Sequence, residues 1–281
     1  MKELRCFFVS LLFCWLSFQV MAQPSISNEK TVKWHRFEKK EFKFNGHVAW
    51  MIAPEKPLPG KPWVWKAYFP DWHTQPDSIL LERGFHVAYI NANDLFGHAK
   101  ALMIWDQFYE YLVAKNGLAT KVALEGVSRG GLYVYGWAKR HPAKVSCIYA
   151  EAPVCDFNSW PGGKGLSKGS DADWKKLLDL YGLTEEEALR YTDQPKDNLD
   201  NLAALKVPIL HIIGLDDKIV PIAENTLLLV QNYVLKGGPA TIIPMTKGKQ
   251  SLEGHHFPIE QPTLIADFIY RNSVPVVSKK L

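Results

Sequence analysis

Cysteine is scarce in this chain: four occur in 281 residues. Cys6 and Cys14 sit in an apolar N-terminal stretch, so a disulfide framework is excluded as the basis of the fold. Cys147 and Cys155 flank one expected strand, and buried free thiols are preferred to a pair. An excess of one charge is lacking too. The formal net charge is +4, too weak a bias to argue for a nucleic-acid partner. No repeat, low-complexity tract or long linker interrupts the chain, and 47% hydrophobic residues suffice for one large core. No Cys, His or Asp set has metal-ligand spacing, and no glycine run follows a dinucleotide or Walker pattern. Neither a metal nor a cofactor is expected.

Long apolar runs are missing with one exception. The first 22 residues carry Lys2 and Arg5, an apolar stretch from Cys6 to Val20, and Val20-Met21-Ala22 ahead of Gln23, the features of a secretory signal peptide. The stretch is shorter than the ~20 residues of a membrane helix, and Phe13 before Cys14 argues against a lipoprotein signal. The mature protein is expected to begin near Gln23 and to be secreted or periplasmic, with no stable membrane anchor. Residues 23–281 read as a single domain.

What the chain does have is a nucleophile elbow. In KVALEGVSRGGLYVYGWAKR, from Lys121 to Arg140, a strand that is apolar on both faces meets Gly126-x-Ser128-x-Gly130 and then a helix. Such a turn is so tight that its flanking positions admit almost no side chain. It lifts the serine hydroxyl out of the sheet and leaves the first helical N–H groups unpaired at the positive helix end. The amide of Arg129 is therefore a candidate oxyanion donor.

Strand and helix patterns alternate around it. Val32 to Phe44 and His47 to Ala53 read as strands joined by an Asn45-Gly46 turn. Strands Trp63 to Tyr68, His86 to Asn91, Lys121 to Val127 and Val145 to Ala150 then alternate with helices Gln75 to Arg83, His98 to Lys115 and Gly131 to Arg140. This order predicts an α/β fold: a mostly parallel central sheet with helices on both faces. After the sixth strand the pattern stops at about 156–203, where short polar helices form a small insertion, one opened by a Thr184-x-x-Glu187 capping box. A strand from Pro208 to Gly214, a helix from Glu224 to Lys236, a strand from Ala240 to Met245 and a final helix near Pro258 to Arg271 complete the order.

A serine hydroxyl needs a general base, and the base needs a carboxylate. In an elbow fold these follow as Ser, acid, His. PILHIIGLDDKIVP places Asp216 and Asp217 just after a buried strand, and the spacing Gly214-x-x-Asp217-x-x-Val220-Pro221 favours Asp217. Asp216 is the neighbouring alternative, and Asp156, with Glu151 a weaker version, offers an acid after the preceding strand. KGKQSLEGHHFP supplies His255 and His256; the Gly254-His255 step favours His255, with His256 as the alternative base.

With these motifs in order, residues 23–281 resemble the α/β-hydrolase superfamily from end to end. More narrowly, PWVWKAYF, SRGGLY, EAPVCDFNSWPGG and GHHF followed by PTLIADFI resemble secreted bacterial carbohydrate-esterase-like members encoded beside polysaccharide-degrading enzymes. The chain departs from them at Lys66, where they carry arginine, and after the histidine pair, where they carry a longer His-containing stretch. The resemblance implies a second oxyanion donor after the third strand, near Trp65 to Tyr68 and assigned to Ala67. Which amide donates stays open.

The function expected is a secreted serine carboxylic-ester hydrolase acting on polysaccharide-derived esters, with Ser128, His255 and Asp217 as nucleophile, base and acid. Lys66, Arg129 and Lys164 are expected near the strand ends, where cations would pair with free carboxylates, so a uronate methyl ester is slightly favoured over an O-acetyl ester. Trp63, Trp65, Trp72 and Trp160 are candidate sugar-stacking faces, Trp160 the best exposed among its glycines. A serine peptidase of the same fold shares every catalytic residue. It ranks second because no large substrate-screening domain is legible. A lipase is disfavoured by the Lys, Asp and Gly content of the insertion. A non-catalytic carbohydrate-binding homologue is the alternative of another class, with no need to keep nucleophile, acid and base together.

Overall fold

A computed structural model describes residues 23–245 and 250–274. The expected signal peptide, residues 1–22, lies outside them, as does 246–249 of the loop that leads to the histidine pair. Nine strands form one sheet in the order β1-β2-β3-β5-β4-β6-β7-β8-β9. The first three, β1 (Ile26–Trp34), β2 (Phe37–Phe44) and β3 (His47–Ile52), are antiparallel, and β3 also pairs antiparallel with β5 (His86–Ile90). From β5 onward every pairing is parallel, through β4 (Trp63–Ala67), β6 (Val122–Val127), β7 (Val145–Glu151), β8 (Ile209–Gly214) and β9 (Ala240–Met245). β4, β5, β6, β7 and β8 are buried at every position, which is why they read as continuous apolar runs.

The expected first strand, Val32 to Phe44, is corrected to two strands. The chain reverses at His35, whose φ is 51°, and Trp34 pairs with Phe37 across the turn. The insertion therefore follows the seventh strand rather than the sixth. The Asn45-Gly46 turn is present, with φ of 48° and 86°.

Alternation along each strand distributes side chains between two layers. α1 (Gln75–Glu82) and α8 (Pro262–Ser273) cover one face with Val64, Ala123 and Tyr149. α2 (Ala99–Asn116) and α3 (Gly130–Arg140) cover the other with Trp63, Trp65 and Leu124. α7 (Thr226–Leu235) lies on this second face through Leu229 and Tyr233. The insertion holds α4 (Asp171–Tyr181), α5 (Glu185–Leu189) and α6 (Asp200–Ala204). Ser170 caps α4 by accepting from Asp173 N–H, and the Thr184–Glu187 capping box opens α5. Phe157, Trp160, Trp174 and Leu177 join the insertion to the core beneath α3, so it packs as part of the same body. Cys147 and Cys155 are both buried and form no disulfide among the described residues. Burial pushes the Cys147 thiol up to about 12 and Cys155 well above its ordinary value.

Candidate active site

The turn after β6 has the strain an elbow requires. Ser128 has φ of 52°, a region that costs an L-residue with a side chain about 1–2 kcal/mol. Backbone hydrogen bonds hold it there: Ser128 N–H donates to the Glu151 carbonyl at 2.8 Å, and its own carbonyl accepts from Gly131 and Val154. Gly130 is required by close approach, since a Cβ there would lie 2.5 Å from the Ala67 carbonyl oxygen.

Two distant loops meet at this serine. His255 Nε2 is 3.0 Å from Ser128 Oγ, and His255 Nδ1 is 2.7 Å from Asp217 Oδ2. The other carboxylate oxygen, Asp217 Oδ1, accepts from the N–H groups of Ile219 at 2.9 Å and Val220 at 2.8 Å. Those bonds fix the carboxylate and explain the value of the spacing through Val220. The acid and histidine loops meet at Gly254, which has φ of 86° and would place a Cβ 2.3 Å from the Asp216 carbonyl. Asp217 is 6% exposed and His255 6% exposed, whereas Ser128 reaches the surface of a cavity of about 510 Å³.

The alternatives lie elsewhere. The Asp216 side chain is 80% exposed and pairs loosely with Lys218. Asp156 pairs with Lys196 and accepts from Asn158 N–H, which leaves it a structural anchor of the insertion. His256 closes a two-residue bridge with Ser251 through its backbone, and its ring packs 4.6 Å from Trp72, while His255 faces the serine. Burial, with His255 next to it, holds the His256 imidazole below its ordinary value. Glu151 lines the cavity, but its carboxylate is taken up by Trp72 Nε1, His73 Nδ1 and Tyr149 OH.

Arg129 contributes more than a backbone amide. Its guanidinium lies 4.5 Å from the Trp160 ring centroid and 5.2 Å from that of Tyr68, donates to Tyr68 OH at 3.2 Å and meets Asp173 at 3.5 Å. Ala67 ends β4 beside Gly126, and the chain then turns through Tyr68 and Phe69 with φ of 61° and 26°.

The profile of the prolyl oligopeptidase family matches residues 107–269, more than half the chain. The chain belongs to the prolyl oligopeptidase family. No curated protein matches the sequence. Among solved structures, acetyl xylan esterase 1 from Thermoanaerobacterium sp. JW/SL YS485 superposes with a TM-score of 0.61 at 18% identity, covering 90% of this chain and 89% of its own. The acetyl xylan esterase from Paenibacillus sp. R4 gives 0.59 at 15%, covering 87% and 88%. Pyrococcus horikoshii acylaminoacyl peptidase gives 0.62 at 16%, covering 94% of this chain but 44% of its own. At these identities the likeness bears on the fold, which is the α/β-hydrolase fold.

Three expected substrate contacts are corrected. Lys66 is 1% exposed and lies inside the α1–α8 layer, 2.5 Å from Asp77 Oδ2 and 2.6 Å from Glu125 Oε1. Burial alone would lower its ammonium, but the two carboxylates overturn that and hold it above its ordinary value. Burial and the Asp77 charge push Glu125 up to about 8, and burial raises Asp77 as well. Trp65 points to the opposite layer. It is fully buried, stacked 4.2 Å from Trp105 and 5.5 Å from Trp63, which is fully buried beside it and is likewise no stacking face for a sugar. None of the three can touch a substrate in this arrangement. Lys164 is exposed and pairs with Glu185. Trp160 does line the cavity, though at 6% exposure it is a wall and not an open platform.

Trp72, one of the expected stacking faces, lines the cavity, while sequence reasoning missed Phe69, Asp173, Ile219 and Leu252, which also line it. The aromatic cluster in FPDWH was a usable signal for Phe69. Nothing local marks Asp173, which arrives from α4.

Proposed function

We propose that this protein is an exported serine hydrolase that cleaves carboxylic esters of carbohydrates, with O-acetyl esters the preferred class. The observation that carries the reading is the Ser128–His255–Asp217 chain of hydrogen bonds opening into the 510 Å³ cavity. Ser128 Oγ attacks the ester carbonyl while His255 Nε2 takes its proton, and Asp217 holds the tautomer and offsets the imidazolium charge. The N–H of Arg129 and an amide of the Ala67–Phe69 turn are the assigned oxyanion donors. The same imidazolium gives its proton to the departing sugar oxygen as the ester C–O bond breaks, leaving an acyl group on Ser128. Water, deprotonated by His255, then releases the acid and restores Ser128.

The acetyl class moves ahead of the uronate methyl ester for two reasons. Burial of Lys66 and pairing of Lys164 remove two of the three cations that favoured an acidic polymer. Two structural neighbours of nearly the same length are described as acetyl xylan esterases. The second reading is a peptidase, favoured by the family itself and by the acylaminoacyl peptidases among its neighbours. Acetate and methanol released from acetylated xylan and methyl-esterified pectic oligosaccharides, by the wild type and by Ser128→Ala, test the assignment. Acetate from the wild type alone is the expected result. Methanol without acetate would restore the uronate ester, and cleavage of peptide anilides with neither would make it a peptidase.

A further inference from the structure

A second cavity, of about 220 Å³, lies outside the catalytic site between α3 and the insertion. α3 presents Leu132, Gly136 and Arg140 to it, one stripe at helical spacing. The insertion supplies an aromatic wall in which Phe157, Tyr181 and Tyr191 pack at centroid distances of 5.3 to 5.7 Å. This volume is below the roughly 300–1,000 Å³ of drug-sized ligand sites, so it suits one small ring.

Asp193 is the one carboxylate among the residues lining this cavity, and the other charged side chain there is the cation Arg140. Gln194 is 1% exposed and lines the cavity. Its Oε1 accepts from Phe157 N–H at 2.6 Å, which fixes the amide, and its Nε2 is buried with no partner among the described residues. A buried donor left unpaired is costly, and it calls for a ligand atom or another explanation. Arg140 stands exposed at the mouth and forms no ion pair among the described residues. Its neighbour Asp193 is neutralised by Lys139 at 2.7 Å. His98 accepts from Lys100 N–H through Nδ1, which leaves Nε2 to carry the proton. Burial, with Lys100 and Arg140 nearby, holds the His98 ring below its ordinary value.

We propose that this cavity is a non-catalytic site for a compact organic carboxylate of monosaccharide size, an acidic sugar being the class that fits. The carboxylate meets Arg140 and the Gln194 amide, where charge-assisted bonds satisfy both donors. The ring lies on one of Tyr181 and Tyr191 and against the edge of the other, since their planes stand at 87°, as an apolar sugar face does on an aromatic one. The sugar element rests on the carbohydrate reading above; the carboxylate element rests on the donors alone. Such a site would let the protein hold a charged glycan substituent apart from the ester being cleaved.

The test is calorimetric titration of the mature protein, its Ser128 capped with a phosphonate, using D-galacturonate and D-galactose. Galacturonate is expected to saturate with the serine capped and to bind at least about tenfold more tightly than galactose. Arg140→Met should weaken it by a similar factor. Gln194→Glu keeps the acceptor for Phe157 N–H while removing the donor, so it should abolish binding with an unchanged near-ultraviolet spectrum. No saturation at tens of millimolar, equal affinity for galactose, or binding indifferent to both substitutions would each overturn the proposal. Acetate release reports on the catalytic reading separately, so the two can fail independently.

Discussion

The Ala67 carbonyl oxygen stands 2.5 Å from the point where a Cβ on Gly130 would be. The end of β4 and the start of α3 are thus in backbone contact directly behind the serine. The G-x-S-x-G pattern is a packing requirement here as much as a turn requirement. Gly130→Ala is expected to destabilise by about 1–3 kcal/mol through overpacking and to lower kcat by displacing the Ala67–Phe69 turn. A melting curve and a kcat both at wild-type values would show that the contact has slack.

The strain at Ser128 predicts an unusual ordering of two inactive variants. Ser128→Ala keeps a Cβ at φ 52°, whereas Ser128→Gly relieves about 1–2 kcal/mol. At roughly 2–4 °C per kcal/mol in a domain of this size, the glycine variant should melt measurably above the alanine variant. If thermal unfolding ranks them the other way, the elbow is not strained.

Asp217 and Asp216 are adjacent, yet one is locked by two backbone N–H donors and the other is in solvent. Asp217→Asn preserves an acceptor for Ile219 and Val220 but loses the charge facing His255, so kcat should fall about 10³–10⁴-fold with the fold intact. Asp216→Asn should stay close to wild type. Steady-state rates on one soluble ester decide between them.

Much of this was legible in the sequence, and the misses have a common cause. The elbow, the acid spacing through Val220 and the Gly254-His255 step are local patterns, each requiring a particular residue at a particular offset. The partners of Lys66 lie 11 and 59 residues away: the pairing of β4 with β6 brings Glu125 beside it, and Asp77 arrives from α1. A lysine in an apolar strand therefore read as a strand-end cation, although strand alternation had already placed it opposite Trp65. The hairpin at His35 was hidden because it carries no Gly or Asn. The length of the run, well beyond the usual 5–6 residues of a strand, was the signal available.

Lys66→Met tests that correction directly. It strands Asp77 and Glu125 without their cation, which should cost about 3–5 kcal/mol. Km on the fraction that remains folded should be unchanged, since Lys66 is absent from the cavity wall. A large rise in Km with normal stability would return Lys66 to the substrate.

Stability should fall on both sides of neutrality for nameable reasons. Burial, with Lys61 nearby, holds His86 down to about 4, and burial holds His211 down to about 3. The unfolded chain protonates both near 6.5, so their contribution is full above that value and is lost as pH falls toward 4. Glu125, pushed up to about 8, acts oppositely: stability declines as pH rises from about 4.5 toward 8. Urea midpoints across pH 4.5–8.5 should therefore peak near the middle, His86→Gln flattening the acid limb and Glu125→Gln the alkaline one. A midpoint independent of pH would refute both assignments.

The stack of Trp63, Trp65, Trp105 and Trp137 between β4 and the helices over it also gives the molecule an optical signature. Indoles this close and this rigid couple electronically, so the near-ultraviolet dichroism of the folded protein should be dominated by exciton bands from the layer behind the nucleophile. Loosening of that layer would be visible in the spectrum before the backbone unfolds, with no label attached.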